Sequence, residues 1–427
     1  MKLKDKYFLI FIFLAALVIR LAFVLPSNDI PSADAYVYDR LGLSIAHGNG
    51  YVDVNGDAHT FYPPFYPIFL SLIYILFGHS YAAVRIIQAL MGAFGSVLIY
   101  WIGKRLSGRM TGVLASFVSI IYLPFIKSSG LLLTELIFTF ILLLIVYYLI
   151  RIQEGDLYTN LIMLGLLIGI AVLTKSIMLF FPVFILPAFI YGKKDFVEPF
   201  ALKIKAPSRA ENNVHSPLGL KPWDFCEELK KYLIIILFFC MSMTPWIIRN
   251  YAVYHKFVPT SAQTGIGFYS SYCPAKGIFG VLASPDDPVV IEAGKLSSPI
   301  LSSNYLVKKT FDFIVNNPKK VLILELKKIL YFWAPFDWEV VGGRWFNFIY
   351  VVLLPFFALG LVLALKEFKR FYPVLAPIIY FQIMTLIFYG SPRFRLPAEP
   401  YMFILSIMGI SVCWKQVLKN IISGSAL

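Results

Sequence analysis

The sequence predicts an all-α polytopic membrane protein, and three observations carry that prediction. Of the 427 residues, 59% are hydrophobic and 17% aromatic, while 15% are charged, against roughly one quarter in soluble domains. Mean hydropathy is +0.74. Apolar runs long enough to cross a hydrocarbon core recur along the chain, 7–25, 81–103 and 345–365 among them. The formal net charge of +14 resembles a nucleic-acid signal, but Lys and Arg retained in cytoplasmic loops of a membrane protein give the same excess, and no nucleic-acid partner is expected. Cys226, Cys240, Cys273 and Cys413 show no metal-ligand spacing and, with Cys240 and Cys413 inside apolar runs, no disulfide framework.

The elements follow in order from apolar length and from the rule that short basic loops stay in the cytoplasm. Lys2, Lys4 and Lys6 keep the N-terminus inside, so span one (7–25) delivers residue 32 outside; its apolar stretch exceeds a signal-peptide core and reads as an uncleaved span. Arg20 within it is expected to snorkel outward. The loop "GKRLSGRM", with Lys104, Arg105 and Arg109, is the next cytoplasmic marker, so span two is 81–103. The run 61–78 between them is short after its prolines and reads as an interfacial helix. Spans three to six follow at about 109–126, 131–151, 159–174 and 177–192, then a basic cytoplasmic loop 193–230. Span seven is 231–248; 250–343 is an outer segment containing the amphipathic stretch 316–333; spans eight to ten are 345–365, 371–389 and 397–414. Ten spans with both ends inside satisfy the charges. This divides the chain into an N-terminal catalytic module 1–249 with first outer loop 26–80, an outer cap 250–343, and C-terminal helices 344–427.

With that topology, Asp34, Asp39, Arg85, Glu135, Lys175, Arg249, Arg393 and Arg395 all fall at outer span ends. Ionisable groups beside apolar spans are costly and mark a polar cavity or partner. Single Lys and Arg residues there have a bland reading as headgroup contacts, but headgroup phosphates repel carboxylates such as Asp34 and Glu135. A carboxylate facing several cations at a membrane surface suits chemistry on a lipid phosphate. If a sugar leaves a polyprenyl phosphate, the departing monoester gains charge, which guanidinium and ammonium groups stabilise. A carboxylate on the opposite face of the sugar takes the acceptor's proton, and a base opposite the leaving group implies inversion.

The ordered stretches "DAYVYDRLGLSIAHGNGY", "YPPFYPIFLSLIYILFG", "VRIIQALMG", "LLLTELIF", "VLTKS", "TPWIIRNY", "NNPKKVLILELKKILYFW" and "SPRFRLPAEP" resemble the polyprenyl-phosphate-dependent glycosyltransferases of the GT-C superfamily, in particular the group of protein O-mannosyltransferases and the lipid A aminoarabinose transferase, over about residues 7–415. The resemblance implies a GT-C bundle of about 10–12 transmembrane helices with extracytoplasmic interfacial helices and loops over the active site. It implies a catalytic role for Asp34, with Glu135 as a second catalytic-site acid, and donor-phosphate contacts by Arg85, Lys175, Arg249, Arg393 and Arg395. The partners implied are a polyprenyl-phosphate-sugar donor, a lipid, protein or glycan acceptor, and membrane lipids, in a multi-pass protein of the cell (inner) membrane acting on its extracytoplasmic side. No cofactor is required by this chemistry. Asp34 is followed by Ala35 where many members carry adjacent acids, and without an Asp-x-Asp pair a divalent metal has no support.

Other residues stay open between two readings. Tyr36 and Tyr62 belong to a sugar site or to an interfacial aromatic belt. Asp39, five residues after Asp34, points to a different helix face and either contacts substrate or is solvated or capping Arg40. His59 contacts substrate or is an ordinary surface histidine. Glu399 pairs with Arg393 or Arg395, and "SPDDP" (284–288) forms a turn. The rival function is a transporter or flippase of a lipid-linked anion, which needs polar groups along a full crossing path, often with repeats. The ionisable residues gather at one side instead. An oligosaccharide polymerase or ligase shares the donor but lacks this motif order.

Overall fold

The computed structural model describes residues 3–27, 29–155, 158–190, 222–272, 283–336, 346–388 and 390–424. The N-terminal part runs through α1 (Leu3–Val24), α2 (Asp34–Ala46), α3 (Phe65–Phe77), α4 (Tyr81–Ser107), α5 (Arg109–Ile121), α6 (Leu123–Ser128), α7 (Thr134–Gln153), α8 (Tyr158–Thr174) and, after a 3-10 turn Ser176–Phe180, α9 (Phe181–Ile190). From residue 222 come α10 (Pro222–Tyr254), α11 (Gln263–Tyr272), α12 (Pro288–Gly294), α13 (Pro299–Asn316), α14 (Pro318–Phe332), α15 (Phe348–Lys366), α16 (Phe368–Ile387), the single turn α17 (Pro392–Arg395) and α18 (Glu399–Gly424). Among the described residues, extended pairing is confined to two isolated bridges, Val52 with Ala58 and Phe336 with Phe346. The protein is an all-α polytopic membrane protein.

Seven helical segments are long and apolar enough to cross a membrane, in α1, α4, α7, α10, α15, α16 and the α17–α18 run. The other three expected spans are shorter apolar helices, Arg109–Ile121, Tyr158–Thr174 and Ser176–Phe189. The first of these ends at the extended Tyr122, and Pro124 two residues on has no amide to return to the Ile120 carbonyl, so α6 begins as a new helix with the proline in its first turn. The expected interfacial helix is α3, and the amphipathic stretch is α14. Most of the expected loop 193–230 lies outside the described residues, but its end is corrected: α10 begins at Pro222. The charged residues there are helical because they pair along one face, Lys231 with Glu228 and, at 3.5 Å, with Glu227. The turn at "SPDDP" is present, and Asp287 also caps α12 by accepting from the Val289 amide at 2.8 Å.

Burial sorts the helices. The apolar windows of α7, α16 and α18 are 72%, 67% and 78% buried, whereas those of α1, α10 and α15 are 22%, 17% and 28% buried and present Phe11, Leu14, Leu237, Met241, Val352 and Val362 outward. Outer helices with apolar outward faces are what a lipid surrounding requires. Without a hydrophobic drive between helices in lipid, close packing depends on small residues. A Cβ at Gly360 would fall 1.9 Å from the Leu405 carbonyl oxygen and one at Gly169 would fall 1.6 Å from Ser242 Oγ, so α15 meets α18, and α8 meets α10, at a separation only glycine permits.

Arg20 does not snorkel outward. Its guanidinium turns back along α1, donates to the Ala16 carbonyl at 3.1 Å and the Ser119 carbonyl at 3.3 Å, and is 2% exposed. Gly92 leaves the space, since a Cβ there would stand 2.5 Å from Arg20 Nε. The attraction is the C-terminus of α5, where the break at Tyr122 leaves carbonyls without helical partners and the helix dipole is negative.

Candidate active site

Asp34 opens α2, where the helix N-terminus favours a carboxylate. The residue before it, Ala33, has φ 50° and ψ −126°, a conformation that costs a residue with a side chain about 1–3 kcal/mol. Asp34 Oδ1 accepts from the Tyr62 hydroxyl at 2.8 Å and Oδ2 from Arg393 Nη1 at 3.2 Å. Arg393 then donates through Nε to Glu135 Oε1 at 2.6 Å, and Lys175 Nζ donates to the same oxygen at 2.7 Å. The result is a continuous chain Tyr62–Asp34–Arg393–Glu135–Lys175, drawn from α2, the loop before α3, the N-terminus of α7, the end of α8 and α17. Two carboxylates face two cations. Glu135 is 1% exposed, while Lys175, Arg393 and Asp34 side chains are 13%, 21% and 34% exposed. Among the described residues, Glu135 Oε2 has no hydrogen-bond partner.

The other expected cations are engaged elsewhere. Arg85 donates to the carbonyls of Ser27 (2.6 Å), Asp29 (2.5 Å) and Gly130 (3.0 Å). It therefore ties the segment leading to Asp34 to the segment leading to Glu135. One turn along α4, buried Gln88 joins in: its amide donates to the Ser129 and Leu131 carbonyls at 3.1 and 2.9 Å and accepts from the Tyr66 hydroxyl at 2.8 Å. Arg249 grips the loop after α2, donating to the His59 and Tyr51 carbonyls at 2.8 and 2.9 Å and lying 4.9 Å from the Trp246 ring centre. Arg395 pairs with Glu399 at 2.8 Å, donates to the Phe332 and Ala334 carbonyls at 2.8 and 2.7 Å, and packs over Tyr350. These three guanidinium groups hold loops and helix ends.

Asp39 is 1% exposed and accepts from Tyr74 (2.6 Å), His79 Nε2 (2.7 Å) and Tyr81 (3.3 Å), which fastens α2 to the α3–α4 junction. Its burial corrects the expectation of a solvated residue beside Arg40. Tyr36 is exposed beneath Arg40, whose guanidinium lies 5.1 Å from its ring centre. His59 stacks on Tyr62 with ring centres 5.8 Å apart and planes 9° from parallel, and its Nε2 accepts from the Tyr62 amide at 3.3 Å. Burial, reinforced by Arg249 and opposed by Asp53, lowers the His59 pKa to about 4, so it is neutral near pH 7. Burial and the adjacent Asp34 carboxylate push the Tyr62 hydroxyl well up, so it remains a donor.

Sequence reasoning missed Gln88 and Tyr51. Gln88 carried a signal, three residues after Arg85 in "VRIIQ" and so on the same helix face. Tyr51, whose hydroxyl donates to the Tyr62 carbonyl at 2.9 Å and so fixes the base of the Tyr62 loop, carried none. Among the described residues no three His, Cys, Asp or Glu side chains come together in a form that could hold a metal ion, and the two carboxylates of the cluster are joined through a guanidinium.

The sequence profile of the dolichyl-phosphate-mannose-protein mannosyltransferase family matches residues 62–202, a stretch that includes Tyr62, Arg85, Glu135 and Lys175. Among solved structures, the chain is similar to the archaeal oligosaccharyltransferase AglB from Archaeoglobus fulgidus in complex with an inhibitory peptide and a dolichol-phosphate, at TM-score 0.51 and 14% identity, over 100% of this chain and 52% of that one. The apo form of the oligosaccharyltransferase from the same organism gives TM-score 0.51 and 15% identity over 99% and 53%. ArnT from Cupriavidus metallidurans bound to undecaprenyl phosphate aligns over 95% of this chain and 77% of its own at 13% identity, but at TM-score 0.47 it supports no argument. No curated protein matches the sequence. The chain spans about half the length of the oligosaccharyltransferase, and the likeness at these identities is one of fold. Profile and fold together make the chain GT-C glycosyltransferase-like, resembling the mannosyltransferase group.

Proposed function

We propose that this GT-C glycosyltransferase-like chain moves a sugar from a polyprenyl-phosphate-linked donor, with inversion, to a lipid, protein or glycan acceptor on the extracytoplasmic side of the cell membrane. The observation that carries the reading is the Asp34–Arg393–Glu135–Lys175 chain, one partly exposed carboxylate next to two cations anchored on one buried carboxylate. The acceptor oxygen attacks the anomeric carbon on the face opposite the phosphate. Its proton passes to Asp34, and the bond from that carbon to the phosphate oxygen breaks. The leaving phosphate monoester, with about two negative charges, is stabilised by Arg393 and Lys175, an interaction stronger in the transition state than in the donor complex. Burial of Glu135 away from solvent suits an anchor for those cations more than a proton acceptor. Arg85, Gln88, Arg249 and Arg395 position the segments that bring these groups together. In domain terms the reading keeps 1–249 as the catalytic module, with Arg393 supplied from 344–427, and 250–343 as the cap. The matched mannosyltransferase profile and the dolichol-phosphate in the similar oligosaccharyltransferase complex support a lipid-phosphate donor. The extracytoplasmic assignment rests on Lys104, Arg105 and Arg109 at the α4–α5 turn, opposite the Asp34 end of α4.

Sugar release from labelled polyprenyl-phosphate sugars by purified protein, with membrane extract as the acceptor source, tests the reading. Wild type should consume one donor, and Asp34→Asn should lose about 10²–10⁴ in rate, the usual worth of a positioned base. Absence of turnover of any donor by the wild type would favour transport of a lipid-linked anion instead.

A further inference from the structure

The base role proposed for Asp34 meets a competitor in the arrangement described, the guanidinium of Arg393. Both Asp34 oxygens already accept hydrogen bonds, Oδ1 from Tyr62 and Oδ2 from Arg393. The contacts of Arg393 with the two carboxylates are unequal. Its Nε bond to Glu135 is 2.6 Å long and made to a side chain 1% exposed, whereas its Nη1 bond to Asp34 is 3.2 Å long and made to a side chain 34% exposed. The first is a buried anchor, whose loss leaves charge stranded in the interior; the second is a longer, solvated contact of the kind that exchanges at little cost.

We infer that Arg393 is a latch on the base. In the unliganded protein it covers Asp34 Oδ2, and the donor's phosphate releases that oxygen by taking over the guanidinium, which pivots on Glu135. The inference rests on the transferase reading and adds regulation to it. A phosphate offers a guanidinium geometry at least as well matched as a carboxylate does, with more charge once the sugar has left. Lys175 sits on the same Glu135 oxygen as Arg393, so both cations are within reach of one phosphate group. Tyr62 keeps Oδ1 occupied throughout, which makes it a positioning residue and leaves Oδ2 as the atom that takes the acceptor's proton. The base is thus exposed only when a donor is present. The same competition acts in reverse after transfer: once Asp34 has given the acceptor's proton to water, its carboxylate recovers Arg393 and helps to expel the polyprenyl phosphate product.

Competition between Asp34 and phosphate for one guanidinium has a thermodynamic signature, since coupling between two sites is reciprocal. Removing the Asp34 charge should tighten binding of a polyprenyl monophosphate, and this gain should require Arg393. The experiment titrates a polyprenyl monophosphate, without sugar, into the full-length protein in lipid nanodiscs, for wild type, Asp34→Asn, Arg393→Gln and the double variant. Size exclusion and thermal unfolding confirm folding, and Asp34→Ser or Arg393→Met replaces any variant that fails. The expected result is an affinity gain of about two- to fivefold for Asp34→Asn over wild type, the scale of one partly exposed ion pair, and no gain for the double variant over Arg393→Gln. Equal or weaker binding by Asp34→Asn would overturn the latch and leave the transferase reading intact. The same gain in the Arg393→Gln background would also overturn it, since plain repulsion between Asp34 and phosphate would then account for the effect. No binding by any of the four would overturn the transferase reading and the latch together.

Discussion

Replacing Glu135 by Gln separates an anchor from a catalytic acid. The amide keeps the shape and one oxygen acceptor but removes the charge that holds two cations at 2.6 and 2.7 Å. Breaking a buried ion pair by removing one partner costs about 3–5 kcal/mol. Two features reduce that here. Arg393 retains Asp34, and the Lys175 and Arg393 side chains are 13% and 21% exposed, so part of each charge recovers solvent. A loss of about 2–3 kcal/mol remains. At about 2 °C per kcal/mol, the low end suited to a long chain, the apparent unfolding midpoint should fall by ~4–6 °C. With the cations less firmly placed, the donor KM should rise by about tenfold, one step of 1.4 kcal/mol, while the pH profile of kcat keeps its shape. The assay pairs thermal unfolding of the purified protein with steady-state donor titrations across pH. An unchanged midpoint and donor KM, combined with a kcat loss of 10² or more and a missing limb in the pH profile, would refute the anchor role and make Glu135 a proton-transfer group.

Two further outcomes follow from the loops around Asp34. Burial lowers the His59 pKa from 6.5 to about 4, so between these values the unfolded chain binds the proton more readily than the folded one. The stability contributed by neutral His59 is complete above about pH 6.5 and is lost as pH falls towards 4; after discounting for partial exposure it amounts to about 2 kcal/mol. Unfolding midpoints measured from pH 7.5 to 4.5 should therefore fall more steeply for wild type than for His59→Gln, and parallel curves would contradict this. Ala33→Gly should relieve the backbone at φ 50° and raise stability by about 1 kcal/mol, while loosening the aim of Asp34 and lowering kcat severalfold. A stability gain without loss of kcat would mean that the strain at Ala33 does not serve the carboxylate.

The apolar runs were legible because hydrocarbon imposes a length and forbids unpaired backbone; most expected spans are single helices, but 109–126 is broken at Tyr122 and the run from 177 opens with a 3-10 turn before α9. Boundaries shifted where local chemistry overrode hydropathy, as at Tyr122 and Pro124, where α5 ends and α6 begins, and at Glu227, Glu228 and Lys231, whose pairing extends α10 into an expected loop. The grouping of the site was less accessible. Asp34, Glu135, Lys175 and Arg393 come from four distant parts of the chain, and no spacing rule links them. Their shared position at span ends made them candidates, but the same rule admitted Arg85, Arg249 and Arg395, because it places a cation near an apolar end without naming what the cation touches. Asp39 shows the same gap. Its distance from Asp34 in the helix indicated another face, yet the three donors that enclose it come from α3, α4 and the turn between them.

What a cation touches decides whether it can act on a substrate. Arg85 and Arg249 donate chiefly to backbone carbonyls, and Arg20 to two carbonyls within the membrane. Arg395 combines two such carbonyls with a carboxylate that is 2% exposed. A carbonyl of this kind cannot leave its guanidinium without moving the loop or helix end to which it belongs, so a ligand competing for that guanidinium would have to disturb the fold. The contact between Arg393 and Asp34 differs in that both side chains are partly exposed and the partner is a side-chain carboxylate rather than a backbone carbonyl, so an incoming phosphate can replace it while the Glu135 anchor holds. Among the described residues, exchangeability therefore divides the expected phosphate ligands into Arg393, which can give up Asp34 to a donor while Glu135 holds it beside Lys175, and Arg85, Arg249 and Arg395, which keep the site in shape meanwhile.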